Sequence, residues 1–177
     1  GQSVFTLPLM LVLGLIGGAL YGAIPALLKV RFNTNEILTS LMLVYAMQLF
    51  LDWMVRGPWR NPGGTNFPET RAFHEWAVLP EVMSSSGRAH WGFVFALIAA
   101  VVVWFVASKT LKGFEIKVLG ASPRAGRFAG FSSSRMVYFA FIVSGACAGL
   151  AGISEVSGAI GKLQPSISPG YGFTAII

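Results

Sequence analysis

The sequence predicts an all-α fold, a polytopic transmembrane helical bundle, on three observations. Of its 177 residues, 54% are apolar and only 11% charged, against about a quarter charged in soluble domains. The apolar residues form long runs rather than the alternation of a half-buried sheet, and the mean hydropathy is +0.66. The charged residues cluster between those runs. A formal charge of +6 would suit nucleic acid in a soluble protein. Here the clustered charges read as topology signals, with membrane lipid and not nucleic acid as the neighbour.

A helix needs about 20 mostly apolar residues to cross a hydrocarbon layer about 30 Å thick. Four stretches qualify, at 5–28, 37–55, 91–108 and 136–153. Lys29 and Arg31 follow the first stretch. The segment 109–135 holds Lys109, Lys112, Lys117, Arg124, Arg127 and Arg135 against Glu115 alone. The positive-inside bias places both in the cytoplasm, which agrees with the even number of crossings between them. The connection 56–90 is richer in Pro and Gly and balances four arginines with Glu69, Glu75 and Glu81, as expected of an external loop. An opening at Gly1 without Met, and a close on the apolar Phe173-Thr174-Ala175-Ile176-Ile177, are expected of a piece of a longer membrane chain.

Within the first stretch Gly14, Gly18 and Gly22 recur every four residues, which strips one helix face of side chains and invites close helix packing. Gly145 and Gly149 repeat the device in the fourth. Pro25 predicts a kink near the end of the first helix. The polar run Arg31-Phe32-Asn33-Thr34-Asn35-Glu36 then separates two apolar runs so briefly that the helix is expected to break within the membrane. Asn33, Asn35 and Glu36 offer amide and carboxylate groups suited to the hydroxyls of a polar solute. Asn35 also fits the cap of the second helix, with Glu36 complementing its dipole.

The external loop contains Arg56-Gly57-Pro58-Trp59-Arg60-Asn61-Pro62-Gly63-Gly64, and further on Phe67, Phe73 and Trp76. Its length and apolar content predict a small external cap, either a receiving surface or an inert cover. In the cytoplasmic segment Ser122 is suited to cap a helix, Pro123 to its first position and Gly130 to a left-handed stop. A helix over 123–129 is expected. Ala121, Ala125 and Ala129 fall at intervals of four beside Gly126, with Arg124 and Arg127 on another face. Such a helix could dock in a groove of another protein or rest on anionic lipid.

Reactive chemistry is sparse. His74-Glu75 lacks the second histidine of a zinc helix, and Cys147 is the single cysteine, so no metal site is expected. Gly152-Ile153-Ser154-Glu155-Val156 fails the nucleophile-elbow pattern at its last position. Gly161-Lys162 ends like a phosphate loop, but Val156 and Leu163 occupy positions where Gly and Ser or Thr are required. No catalytic residue and no cofactor are therefore expected. Among charges in or beside the spans, Asp52 is four residues before Arg56 and reads as an interfacial pair, while Glu155 with Lys162 reads as a local one.

The stretch 113–131, centred on Ser122-Pro123-Arg124-Ala125-Gly126-Arg127, resembles the cytoplasmic coupling segment of binding-protein-dependent ABC importer permeases. The likeness extends through Ser144-Gly145-Ala146-Cys147-Ala148-Gly149-Leu150-Ala151-Gly152 and Pro169-Gly170-Tyr171-Gly172-Phe173, and is greatest to the ribose and branched-chain amino-acid permease branch. Asn35-Glu36-Ile37, Arg56-Gly57-Pro58 and Pro62-Gly63-Gly64 look like the nucleoside and simple-sugar permeases. This resemblance implies an inner (plasma) membrane subunit that works with an ATP-binding cassette subunit, an extracytoplasmic solute-binding protein and a second permease subunit, identical or related. ATP would be hydrolysed by the partner. The coupling surface would comprise Ala121, Arg124, Ala125, Gly126, Arg127, Ala129 and Gly130, with Gly126 where the family commonly has a second alanine. A passive channel or structural membrane subunit is the alternative, which would have no need of the capped small-residue helix.

Overall fold

A computed structural model describes residues 5–63, 67–74, 77–79, 91–165, 167 and 170. Glu75, Trp76, Pro80, Glu81, His90 and the apolar end 171–177 lie outside the described residues, as do Gly64 and Pro169. The described chain is all-helical, without a strand: α1 Thr6–Phe32, α2 Glu36–Arg56, α3 Gly92–Lys109, α4 Leu111–Ala121, α5 Pro123–Phe128 and α6 Ser133–Glu155, which runs on into a π turn at Val156–Ile160. Four of these elements are long and apolar enough to cross a membrane: α1, α2, α3 and α6 with the start of its π turn. Their large apolar side chains, such as Leu9, Leu20, Phe50, Val101 and Phe105, stay exposed on every face. A helix that is hydrophobic all round needs an apolar solvent, and lipid supplies it.

The principal contact is between α1 and α6, and the glycines make it possible. A Cβ on Gly22 would stand 2.6 Å from the Phe141 carbonyl oxygen, and one on Gly18 would stand 2.8 Å from the Gly149 Cα. Side chains on Gly145 and Gly149 would collide with the Gly18 and Gly14 carbonyl oxygens, and one on Gly14 with the Ile153 side chain. As α1 numbers rise from 14 to 22, their partners fall from 153 to 141, so the two helices run antiparallel. Without side chains between them, the backbones approach closely enough for van der Waals contact to replace the missing hydrophobic drive.

That pairing fixes which ends lie together. The Lys29 and Arg31 end of α1 meets the start of α6, where α4 and α5 also lie. The Thr6 end meets Glu155 and the π turn. Geometry alone thus gathers Lys29, Arg31, Lys109, Lys112, Lys117, Arg124, Arg127 and Arg135 at one end of the bundle, called here the basic end. The Tyr21 hydroxyl donates to the Leu43 carbonyl at 2.7 Å and ties α1 to α2.

Local chemistry sets the boundaries. The first helix does not stop at its first cation: it passes through the buried Pro25 and ends at Phe32, with Lys29 and Arg31 in its last turn. Cations there complement the helix dipole and can extend their heads toward water. Between α3 and α4, Thr110 is extended; its hydroxyl donates to the Val106 carbonyl and accepts from Gly113 N at 3.4 Å. Gly113 is buried against the Ala107 carbonyl, where a side chain would collide. The chain between Thr110 and Ser122 is therefore helical.

Candidate functional site

The short helix α5 is built as its capping residues dictate. Ser122 Oγ accepts from Ala125 N at 3.3 Å, Pro123 occupies the first turn, and Gly130 adopts the left-handed conformation with φ 81°. Three details differ from the sequence expectation. Ala129 is the C-cap rather than a helical residue, its N–H donating to the Ala125 carbonyl at 3.0 Å. Ala121 ends α4 and is separated from α5 by the extended Ser122, so the three alanines do not share one helix face. Gly126 points inward, where a Cβ would come within 2.5 Å of a Leu119 methyl. It locks α5 to α4 and offers no outer surface.

What α5 does present is Arg124, Ala125 and Arg127, all exposed, and Phe128, which is 94% exposed. Phe128 was not singled out from the sequence, where an aromatic residue between apolar runs looks like core. Leu111, 80% exposed, and the half-exposed Phe114 add to the apolar surface of the α4–α5 unit.

At the same end, three residues break the α1–α2 junction. Asn33 takes the left-handed conformation with φ 51°, which asparagine tolerates better than most residues. Asn35 Oδ1 accepts from Ile37 N at 3.0 Å and Leu38 N at 3.5 Å, capping α2. Glu36 pairs with Lys29 across the break at 2.7 Å. The Thr34 hydroxyl is buried with no hydrogen-bond partner, an arrangement that costs free energy wherever it occurs.

A second polar group lies on α2 farther from the basic end. Tyr45, Gln48 and Asp52 recur at intervals of three and four, on one helix face, and line a cavity of about 550 Å³ with Pro165 and Ile167. Asp52 also accepts from Arg56 Nε, at 2.8 and 2.9 Å to its two oxygens. A polar side chain such as Gln48 is costly against lipid and implies a wet cavity or a partner. The signal was present in the sequence as polar residues at helical spacing inside an apolar run. Glu36 is nine residues before Tyr45, about two and a half turns, so the two project from opposite sides of α2.

At the end opposite the basic one, the chain after α2 folds over the π turn. Leu79 N donates to the Ser157 carbonyl at 2.9 Å, Phe73 N to Gly161 O at 2.8 Å, and Thr70 N to Leu163 O at 3.1 Å. The widened π turn closes through Gly161 N to Val156 O at 2.8 Å, leaving the Ser157 carbonyl to accept from Leu79. Lys162 pairs with Glu69 and not with Glu155. A cleft of about 530 Å³ opens beside this connection, lined by Trp59, Arg60, Arg71 and Phe73 among others.

Residues 2–177 match the family described as the branched-chain amino acid transport system, permease component. The chain is 38% identical to a glucose ABC transporter permease protein of Haloferax volcanii, over 98% of this chain and 48% of that protein. It is 33% identical to a guanosine ABC transporter permease protein of Bacillus subtilis, over 88% and 44%. A nucleoside ABC transporter permease protein of Lactococcus lactis is 30% identical, over 83% and 42%. The chain spans about half the length of these curated relatives. No solved structure matches. With four membrane-length helices and a family match over nearly every residue, the chain belongs to the permease components of the branched-chain amino acid transport family.

Proposed function

We propose that this chain forms part of the permease subunit of an ABC importer in the plasma membrane, moving a simple sugar or nucleoside. The observation that carries the reading is the projecting α4–α5 unit at the basic end, capped at both ends of α5 and crowned by the exposed Phe128, in a chain whose relatives are named as sugar and nucleoside permeases. A passive channel has no use for such a knob. In this reading the basic end is cytoplasmic, and Arg124, Ala125, Arg127 and Phe128 seat on an ATP-binding cassette subunit that hydrolyses ATP. Gly126 and Gly130 shape the knob, and Ala121 and Ala129 flank it. The cleft around Trp59 and Arg71 faces outward, toward a solute-binding protein. A second permease subunit completes the pathway.

Tyr45, Gln48 and Asp52 supply hydroxyl, amide and carboxylate groups to a hydroxylated solute on the outer part of the path. Asn33 and Asn35 stand at its inner rim, where the unpaired Thr34 hydroxyl adds a polar group, while Glu36, on the opposite side of α2 and paired with Lys29, lies off this path. The motion of α5 would reach the path through α4 and the glycine-packed α1–α6 pair, the rigid core of the described chain. The test is uptake by the full-length transporter in proteoliposomes. Gln48→Leu is expected to lower uptake of the transported solute severalfold while basal ATPase activity and assembly persist. Unchanged uptake in that variant removes α2 from the path, and solute flux without ATP or the cassette subunit refutes the importer reading.

A further inference from the structure

Away from the α2 face, α3 and α6 diverge around an apolar groove of about 750 Å³. Val103, Val106 and Ala107 line it from α3, Phe139 and Val143 from α6, and Ile116 of α4 borders it at the basic end. Its walls run over residues 99–107 of α3 and 139–147 of α6. At 1.5 Å per residue each wall is about 12 Å tall. That depth approaches the roughly 15 Å of hydrocarbon in one leaflet, half of the whole core. An acyl chain fills one leaflet.

The two walls continue into charge at the basic end. Lys109 follows Val106 by three residues, and Arg135 precedes Phe139 by four, so each sits one turn beyond the groove on the same helix face. Both are exposed, and neither has a hydrogen-bond or ion-pair partner among the described residues. Lys112, by contrast, reaches Glu115 at 3.4 Å. Two unneutralised cations at the basic end of a one-leaflet apolar slot match a negatively charged headgroup joined to an acyl tail. Basic pockets between membrane helices recognise such headgroups.

We infer that the α3–α6 groove is a binding site for an anionic glycerophospholipid of the leaflet at the basic end, its acyl chain against Val103, Val143 and Ile116 and its phosphate between Lys109 and Arg135. The site is separate from the solute path of α2 and does not depend on it. Filling the groove would hold α4, and with it α5, against the bundle.

The test is native mass spectrometry of the full-length transporter, exchanged from detergent into mixed phosphatidylglycerol and phosphatidylcholine. The expected result is retention of one phosphatidylglycerol per permease chain, preferred over phosphatidylcholine about thirtyfold, the scale for two cations at an anionic surface. Lys109→Gln with Arg135→Gln removes the preference, and Val103→Trp removes the retained lipid. Equal retention of the two lipids by the unaltered protein overturns the inference without any variant. So does a preference that survives the double substitution, or a structure of the full-length chain with a protein helix in the groove.

Discussion

Gly18 and Gly149 face each other with no room for a side chain on either. A Cβ on Gly18 would stand 2.8 Å from the Gly149 Cα, and one on Gly149 would stand 3.0 Å from the Gly18 Cα. Contact at that range is between backbones, so neither helix can yield by rotating a side chain.

Gly18→Val should therefore separate α1 from α6 and destabilise the protein by about 1–3 kcal/mol. Gly17 is one position away and meets nothing within 4 Å; Gly17→Ala should be neutral or stabilising by up to about 1 kcal/mol. Thermal melting in detergent compares the two. Equal losses would show that helix flexibility, rather than contact, governs this face.

Asn35 holds the start of α2 through its side-chain oxygen. Asn35→Ala should cost about 1 kcal/mol through loss of the cap, whereas Asn35→Asp keeps an acceptor and most of the stability. Uptake assays on the same two proteins separate capping from solute contact. If Asp restores stability but not uptake, the amide nitrogen meets the solute; if it restores both, Asn35 is a cap alone.

Phe128 buries little within the chain, so Phe128→Ala should change stability by no more than about 0.5 kcal/mol. Co-purification with the cassette subunit should fall severalfold, since exposed aromatics are typical anchors of an interface. Gly126→Val should act differently, forcing α5 away from Leu119 and lowering stability before any partner is added. Normal assembly of Phe128→Ala would remove this side chain from the proposed interface.

Glu69 and Lys162 join two segments far apart in sequence, and both are about one-third exposed or less. A partly exposed pair contributes about 1 kcal/mol at most, too little to unfold the bundle when removed. Lys162→Met should instead loosen the connection between α2 and α3 locally. Limited proteolysis from outside sealed vesicles should cut that connection severalfold faster, with the melting temperature nearly unchanged. An unaltered cutting rate would assign the anchoring to the backbone bonds of Thr70, Phe73 and Leu79.

The local signals around α5 were legible because they act over three or four residues: Ser122, Pro123 and Gly130 each specify their own backbone. The helix α4 was not legible, because Lys112, Glu115 and Lys117 interrupt its few apolar residues, while the junction at Thr110 and Gly113 depends on contact with the preceding turn. The inward direction of Gly126 was hidden for the same reason: only folding brings Leu119 against it. For Asn35 and Glu36 the sequence supported two roles. The structure gives Asn35 the cap and Glu36 the Lys29 partner, while the cavity along Tyr45, Gln48 and Asp52 emerges once Pro165 and Ile167 are placed beside α2.

The sequence by itself determined that this protein lives in lipid, how many of its described helices can cross, and which end carries the positive charge. Those properties depend on run length, composition and charge order along the chain, and lipid admits helices whose backbone bonds are internal. Only the tertiary structure decided that the glycine faces of α1 and α6 meet each other, antiparallel, and that the π turn receives the connection that follows α2. Small-residue faces are interchangeable in sequence, and their partner is chosen by how closely two backbones fit in three dimensions.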